Sequence, residues 1–295
     1  MSLSVRISAV QERTNRIGRH LPTSGGLGKM LGHAEDLGCE TVQIFISNPQ
    51  GWADPVPRPD AAEFVEGVRR IGISPTVVHA KYLINLASTK EELRERSVRS
   101  LAAELTAAGE LGIDLVVVHS GSHGGEGAKK GEDRLVDGLD RARELAEASG
   151  PAAEPAVENS VGAGTQLLST FDSLGEVSRR AGVRVCVDTA HAFVAGYDLA
   201  ISGGPRLVAE ELRAALGEAV ALVHLNDAKN ELGSHRDGHR KVGEGNIPAG
   251  SWPEFFAGLP GVPVVMETPY EGPEADAEEL RLVKELAGGL RKAAG

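Results

Sequence analysis

Six apolar segments of the chain each end on a histidine or an acidic residue. The six terminal residues are His79, His119, Glu158, Asp188, His224 and Glu267. Polar groups of this kind at the end of a buried segment are unfavourable unless something compensates their polarity. Three imidazoles and three carboxylates could hold metal ions, because nitrogen and oxygen ligands without thiolates suit Zn²⁺ and, less strongly, Mn²⁺ or Fe.

Further candidate ligands follow two of these segments. His191 lies three residues after Asp188, and Asp237 and His239 form the tripeptide DGH in the long stretch after His224. Taken alone, the DGH pair fits a metal site and a structural turn equally well. With His191 it would supply two imidazoles and one carboxylate to one ion. Since six strand-end ligands exceed one tetrahedral site, two or more ions are expected.

Alternating strands and helices would position these residues. The pattern predicts strands over residues 16–20, 41–46, 75–79, 115–119, 155–158, 183–188, 221–224 and 262–267, with amphipathic helical segments between them. Eight βα units at this length predict an α/β fold, a single (β/α)8 barrel domain over residues 1–295. An open doubly wound sheet is the alternative. In a barrel the strand ends meet at the C-terminal rim, so the candidate ligands should converge there.

Composition and charge restrict the function classes. The chain is 41% hydrophobic and 25% charged, which is typical of a soluble globular protein. No run approaches the roughly 18 apolar residues of a membrane helix, and the N-terminus lacks a signal-peptide pattern, so we expect a cytoplasmic protein without membrane association. Cys39 and Cys186 lie in apolar surroundings and are expected to be reduced and buried. The net charge of −11 counts weakly against a nucleic-acid partner, because metal-site carboxylates contribute to it.

Several long motifs resemble those of the endonuclease IV family, the metal-dependent apurinic/apyrimidinic endonucleases of DNA base-excision repair. The resemblance covers residues 16–269 and rests on GRHLPTSGGL, HAKYLINLAS, HSGSH, VENSVGAG, VCVDTAHAFVAGYDL, VHLNDAKNELGSHRDGH, GEGNI and VMETP. The sixth-strand and seventh-strand motifs are long and specific. A barrel with His and Glu at its rim also occurs in sugar isomerases, so the fold alone would not decide the function.

The resemblance implies a (β/α)8 barrel with three metal ions, usually zinc. The enzyme would cut the phosphodiester on the 5′ side of an abasic nucleotide in double-stranded DNA, with a metal-bound hydroxide as nucleophile, and would trim blocked 3′ ends. His79, His119 and a bridging Glu158 would hold the first ion. Glu158, Asp188, His224 and Glu267 would hold the second, and His191, Asp237 and His239 the third. Glu267 would also orient the hydroxide, so the resemblance assigns catalytic roles to Glu158 and Glu267.

The resemblance also implies DNA contacts. Tyr82 and Leu83 match a loop that enters the minor groove, and Gly25 and Gly26 would let backbone N–H groups approach a phosphate. The chain departs from the family at Gln50, where the family usually has an arginine that reaches into the DNA. A glutamine adds no charge, so DNA affinity should be weaker unless Lys229 or Arg240 compensates. The family further implies a monomer.

Two other function classes stay open at this point. A metal-dependent sugar isomerase or epimerase on the same barrel would use one or two ions and would not need Asp237 and His239. A non-catalytic module that binds damaged DNA would hold the same metals for structural reasons only.

Overall fold

The computed structural model describes residues 14–288 and places ten strands in them. The strands are β1 (Ile17–His20), β2 (Val42–Ile44), β3 (Thr76–His79), β4 (Leu115–His119), β5 (Glu154–Glu158), β6 (Arg184–Asp188), β7 (Val220–His224), β8 (Asp227–Ala228), β9 (His239–Arg240) and β10 (Val264–Met266). Strands β1 to β7 and β10 form a closed barrel in which every neighbouring pair is parallel. Strands β8 and β9 form a separate antiparallel pair.

Helices alternate with the barrel strands. They are α1 (Leu27–Leu37), α2 (Ala61–Ile71), α3 (Glu91–Glu110), α4 (Ala128–Ser149), α5 (Phe171–Ala181), α6 (Thr189–Ala195), α7 (Gly204–Leu216), α8 (Trp252–Gly258) and α9 (Pro273–Gly288). Three of them end on a glycine in the left-handed conformation: Gly38, Gly72 and Gly182. The (β/α)8 barrel predicted from the sequence is therefore confirmed, and the open sheet is not formed.

An apolar layer fills the barrel directly below the candidate ligands. Side chains alternate along a strand, so a residue two positions before a ligand shares its face. Six such residues and Leu115, which lies four positions before His119, form one buried cluster: Val77, Leu115, Val117, Ala156, Cys186, Leu222 and Val265. The candidate ligands thus lie directly above a buried apolar layer, where an unpaired charge is costly.

Two sequence-based expectations need correction. The eighth barrel strand ends at Met266 rather than Glu267, because the Glu267 N–H donates to Asn226 Oδ1 (2.9 Å) rather than to a neighbouring strand. His191 and His239 were expected in loops but lie in α6 and β9.

Cys39 and Cys186 are free and buried, as expected. Among residues 14–288, no helix combines the length and apolarity that crossing a membrane requires.

Candidate metal centre

Three groups of potential ligand atoms lie at the C-terminal rim of the barrel. Within each group the atoms lie no more than 4.8 Å apart. The groups are His79, His119 and Glu158; Glu158, Asp188, His224 and Glu267; and Asp188, His191 and His239. Glu158 belongs to the first two groups and Asp188 to the last two, so the three groups form one continuous cluster.

Glu158 divides its two oxygens between neighbouring groups. Its Oε2 lies 3.3 Å from His119 Nε2 and 3.8 Å from His79 Nε2. Its Oε1 lies 3.1 Å from His224 Nδ1, which is also 3.1 Å from Glu267 Oε2. Because one oxygen faces each group, this buried carboxylate can bridge two ions.

The third group includes Asp237 as well. Its Oδ1 lies 3.5 Å from His191 Nε2 and 3.4 Å from His239 Nε2. On the other side, His239 Nε2 lies 3.6 Å from Asp188 Oδ2. The structure thus gathers the three residues assigned to a third ion and adds Asp188, which the sequence assigned to the second ion only.

Each buried imidazole is oriented by a bond from its other ring nitrogen. His79 Nδ1 lies 2.7 Å from the Ala80 carbonyl oxygen, and His191 Nδ1 lies 3.0 Å from the Asn159 carbonyl oxygen. A carbonyl can only accept, so both rings carry the proton on Nδ1 and present Nε2 to the cluster. This arrangement is usual for metal-binding histidines.

Local sequence explains how His191 reaches the cluster. Asp188 ends β6 and is the N-cap of α6, where its Oδ1 accepts a hydrogen bond from the His191 N–H at 2.8 Å. Asn226 Nδ2 donates to Asp188 Oδ2 at 2.6 Å and fixes the rest of the carboxylate. The motif DTAH therefore turns the chain into a helix whose third residue points back to the rim.

The electrostatics of the cluster favour cations. Burial opposes protonation of His191, but Asp188, Asp237 and Glu158 outweigh it and raise its pKa to about 10. The hydrogen bond from His191 lowers the pKa of Asp237 to about 2. Burial opposes ionisation of Glu158, yet His224 and His79 hold its pKa well below the usual range. Asp237 and Glu158 are thus ionised, and their negative charge favours cations beside them.

The donor set fits metal ions. Glu158 Oε2 and His239 Nε2 are buried atoms without a hydrogen-bond partner, and both face the ligand groups. A buried oxygen or nitrogen without a partner is costly, and a metal ion bound by each ligand group would satisfy these atoms. Imidazole and carboxylate ligands in this number suit Zn²⁺, Mn²⁺ or Fe.

The cluster opens into a large cavity. The cavity volume is about 1170 Å³, and its wall includes His79, His119, Glu158, His191, Asp237, His239 and Glu267. It extends past β1 toward α1, where Arg19, Lys29 and His33 line it. The wall also includes Tyr82 and Tyr270, so both cationic and aromatic side chains face the space above the ligands.

Comparisons with known proteins agree with this geometry. A family model described as xylose isomerase-like TIM barrel matches residues 31–290. A probable endonuclease 4 of Halobacterium salinarum is 36% identical over 281 residues, which cover 92% of this chain and 99% of that protein. The structure of endonuclease IV from Thermus thermophilus superposes with a TM-score of 0.81 at 35% identity and covers 93% of this chain and 99% of that one.

The chain belongs to the endonuclease IV family. The family, the barrel and the class of enzyme predicted from the sequence are thereby confirmed. The structure of a D-tagatose 3-epimerase-like protein also superposes, with a TM-score of 0.72 at 21% identity over 95% of this chain and 100% of that one. At that identity the likeness shows the shared barrel fold alone.

One residue of this endonuclease IV site, Gln43 on β2, was not predicted from the sequence. Its Nε2 donates to Glu267 Oε1 at 2.6 Å, and its Oε1 accepts from His224 Nε2 at 2.8 Å. The same Nε2 lies 3.1 Å from Nδ1 of His20, whose pKa burial lowers to about 4. Gln43 therefore orients two candidate ligands at once. Gln43 lies at the middle of β2, opposite His20 of β1 and Val77 of β3, so the pattern of strand ends did not mark it.

Seven residues were predicted to contact DNA, and one of them, Tyr82, lies against a candidate ligand. Tyr82 is 49% exposed and stacks on His119 with ring centroids 5.7 Å apart. Gly25 and Gly26 precede α1 with φ of 96° and 94°, and a side chain would be strained at both. Gln50, Lys229 and Arg240 are exposed, and Leu83 is half-buried. Of these seven residues, all within the described range, only Tyr82 lines the cavity.

Proposed function

We propose that this protein hydrolyses the phosphodiester on the 5′ side of an abasic nucleotide in double-stranded DNA and also trims blocked 3′ ends. The observation that carries the proposal is the continuous cluster of three ligand groups, joined by Glu158 and Asp188, at the mouth of a cavity of about 1170 Å³. The relatives named endonuclease 4 supply the class of substrate.

Nine side chains would hold three ions, for which zinc is the proposed metal. They are His79, His119, Glu158, Asp188, His191, His224, Asp237, His239 and Glu267. When bound, such ions neutralise phosphate oxygens and lower the pKa of a water molecule toward about 7. The protein's own contribution is to fix the positions of these ligands on rigid strand ends.

Two carboxylates have distinct roles in this proposal. Glu158 bridges the first two ligand groups and sets the distance between them. Glu267 receives a hydrogen bond from Gln43 on Oε1, while its Oε2 faces the cluster beside His224. Held in this way, Glu267 would act mainly as a ligand and would also orient the attacking water toward the scissile phosphorus.

DNA would be engaged by the loops around the rim. Tyr82 and Leu83 would enter the minor groove, while the backbone at Gly25 and Gly26 would approach a phosphate. Gln50 would contact the DNA through hydrogen bonds alone, and Lys229 and Arg240 would add positive charge. The abasic nucleotide would turn out of the stack into the cavity, which is least costly where no base has to be unpaired.

The rival function is a metal-dependent sugar epimerase on the same barrel. A one- or two-ion epimerase needs the first and second ligand groups but gives no reason for the third. The close approach of Asp237 to both His191 and His239 favours the three-ion nuclease. The 21% identity to the epimerase-like structure supports only the shared fold.

The test is incision of a 5′-labelled duplex that contains one abasic site. Purified, zinc-loaded protein should cut the labelled strand and leave a 3′-hydroxyl on the 5′ fragment, which a DNA polymerase can extend. Treatment with a chelator should abolish the cut, and added zinc should restore it. Binding of the duplex without cleavage at any metal loading would reject the nuclease in favour of a damage-binding module.

A further inference from the structure

Helix α3 supports both loops that are proposed to reach DNA after β2 and β3. Residues 45–52 follow β2 and carry Gln50, and residues 80–90 follow β3 and carry Tyr82 and Leu83. None of the described residues of α3 lines the cavity. Its contacts with the two loops are nevertheless unusual for a surface helix of a barrel, because they are ionic and buried.

A buried ion pair joins α3 to the second loop. Lys81 Nζ lies 3.0 Å from Glu104 Oε1, and the two side chains are 0% and 1% exposed. The backbone N–H of Lys81 donates to Glu104 Oε2 at 3.2 Å. Lys81 Nζ also donates to Ser100 Oγ at 3.2 Å, one turn earlier on the helix. The loop is thus fixed at the residue immediately before Tyr82.

The same carboxylate holds the first loop. Ser47 Oγ donates to Glu104 Oε1 at 2.6 Å. The Tyr82 N–H donates to the Pro49 carbonyl oxygen at 3.1 Å, so the two loops also bond to each other. Glu104 therefore accepts hydrogen bonds from both loops through one buried side chain.

A second contact on the same face of α3 holds the far end of the first loop. The Arg96 guanidinium lies 4.5 Å from the centroid of the Trp52 ring, a cation–π contact two residues beyond Gln50. Beside it, the Ser97 hydroxyl accepts a hydrogen bond from the Asn85 N–H at 3.0 Å. The helix thus fixes each loop at more than one point.

We propose that Glu104 is a positioning residue for DNA binding, which sets the distance between the Gln50 loop and the Tyr82 loop before DNA arrives. The inference rests on the proposed function, because it takes these two loops to be the DNA-contacting ones. Loops that are already ordered lose less conformational entropy on binding, so the effect belongs to affinity rather than to the chemical step.

The substitution Glu104→Gln tests the role. Its amide NH₂ must face either the Lys81 N–H or the Lys81 ammonium with the Ser47 hydroxyl, so at least one donor meets a donor. We expect KM for the abasic duplex to rise about tenfold with kcat changed less than about twofold, the pattern of lost binding shared by substrate and transition state. Ser47→Ala, which leaves no buried charge unpaired, should shift KM in the same direction by a smaller factor.

The matched control is Glu95→Gln on the same helix. Glu95 forms a bidentate pair with Arg141 of α4 (2.7 and 2.6 Å) and touches neither loop. Glu95→Gln should therefore leave KM for the abasic duplex unchanged. If Glu104→Gln and Ser47→Ala behave like Glu95→Gln, or if they lower kcat at constant KM, the positioning role is overturned.

A measurement without DNA separates this inference from the proposed function. The chain has two tryptophans, and Trp252 is 0% exposed, so acrylamide quenching reports mainly on Trp52. Quenching should increase in Glu104→Gln and in Arg96→Gln but not in Arg99→Gln, which removes the same charge from the same helix. Unchanged quenching in the first two variants would overturn the inference even if the wild type incises. Increased quenching in these two variants, together with a wild type that fails to incise, would reject the nuclease alone.

Discussion

Asp188 shows how a single residue can serve both the fold and the site. Its Oδ1 caps α6 through the His191 N–H, and its Oδ2 faces Asn226 and His239. Loss of the carboxylate would therefore remove a helix cap as well as a candidate ligand. This double role explains why the apolar strand β6 ends on an acidic residue, since the helix begins at the point where a ligand is needed.

Asp237 is the residue whose replacement best separates the three-ion site from a two-ion one. Asp237→Ala removes the oxygen that lies 3.5 and 3.4 Å from His191 and His239. We expect bound zinc to fall from three ions to two per chain and incision to fall by at least about a hundredfold, because even partners of ligands change activity 10–100-fold. Mass-spectrometric metal analysis and the incision assay measure the two effects.

The exposed acid Asp36 at the end of α1 provides the control. Asp36→Ala should retain three ions and native incision. Native incision by Asp237→Ala would show that the third ligand group has no part in the reaction.

The protonation of His191 gives a prediction for the metal-free protein. Its pKa of about 10 lies above the usual 6.5, because nearby carboxylates outweigh its burial. Metal-free protein should therefore hold an imidazolium at His191 from neutral pH up to about 10, visible as two protonated ring nitrogens in ¹⁵N NMR. Zinc must displace the Nε2 proton, so zinc affinity should rise with pH over this range. A His191 ring that titrates near 6.5 in the metal-free protein would contradict this account.

Six of the nine candidate ligands could be proposed from the sequence because each stands at the end of a short apolar segment whose end is easy to locate. Gln43 could not, because it lies at the middle of β2 rather than at a strand end. Its role depends on contacts with His224 and Glu267, which lie 181 and 224 positions away. Amide side chains in strands carry no signal of their own until the barrel closes and brings these partners together.

At the scale of elements, the β8–β9 pair positions Asp237 and His239. Asp227 of β8 accepts hydrogen bonds from the N–H groups of Gly243, Gly245 and Ile247, each at 2.9 Å. These bonds hold the GEGNI segment against β8, which pairs with β9. The short antiparallel pair thus orders the long connection after β7 and fixes the position of two candidate ligands.

Substitution of Gly245 tests whether the β8–β9 pair positions these two ligands, since there is no space for a side chain at this position. A Cβ at this position would press on the Asp227 carboxylate and lie 2.5 Å from the Ala228 carbonyl oxygen. Gly245→Ala should therefore destabilise the protein by about 1–3 kcal/mol in thermal or urea unfolding. It should also weaken zinc binding and incision, because β9 has to move.

Gly250→Ala is the matched control, because a Cβ there would meet nothing within 4 Å. It should leave unfolding, zinc binding and incision unchanged. A Gly245→Ala protein with native zinc content and incision would mean that the segment does not support the third ligand group.

The elements that the sequence predicted are those with strong local patterns. The strand Leu115–His119 has the predicted bounds, and the other barrel strands differ by one to three residues at their ends. The pair β8–β9 was not predicted, because two-residue strands have no periodicity and are defined only by their partner. Helix α6 was missed because its six buried residues in seven hide the amphipathic pattern.

At the scale of the whole molecule, the net charge of −11 agrees with a protein that gathers cations. Four of its carboxylates, Glu158, Asp188, Asp237 and Glu267, lie in the ligand groups. Three divalent ions would offset about half of the net charge, and they would do so at the place where a phosphodiester has to approach. An acidic chain can therefore present a positive surface to DNA at its active rim.

A three-ion nuclease should respond to zinc loading in a way that no one-ion or two-ion enzyme would. Metal-free protein is titrated with zinc in sub-stoichiometric steps, and incision of the abasic duplex is measured at each step. Activity should stay close to zero through the first two equivalents per chain and reach its maximum at the third. Full activity after one or two equivalents, or no incision at any loading, would contradict the three-ion nuclease.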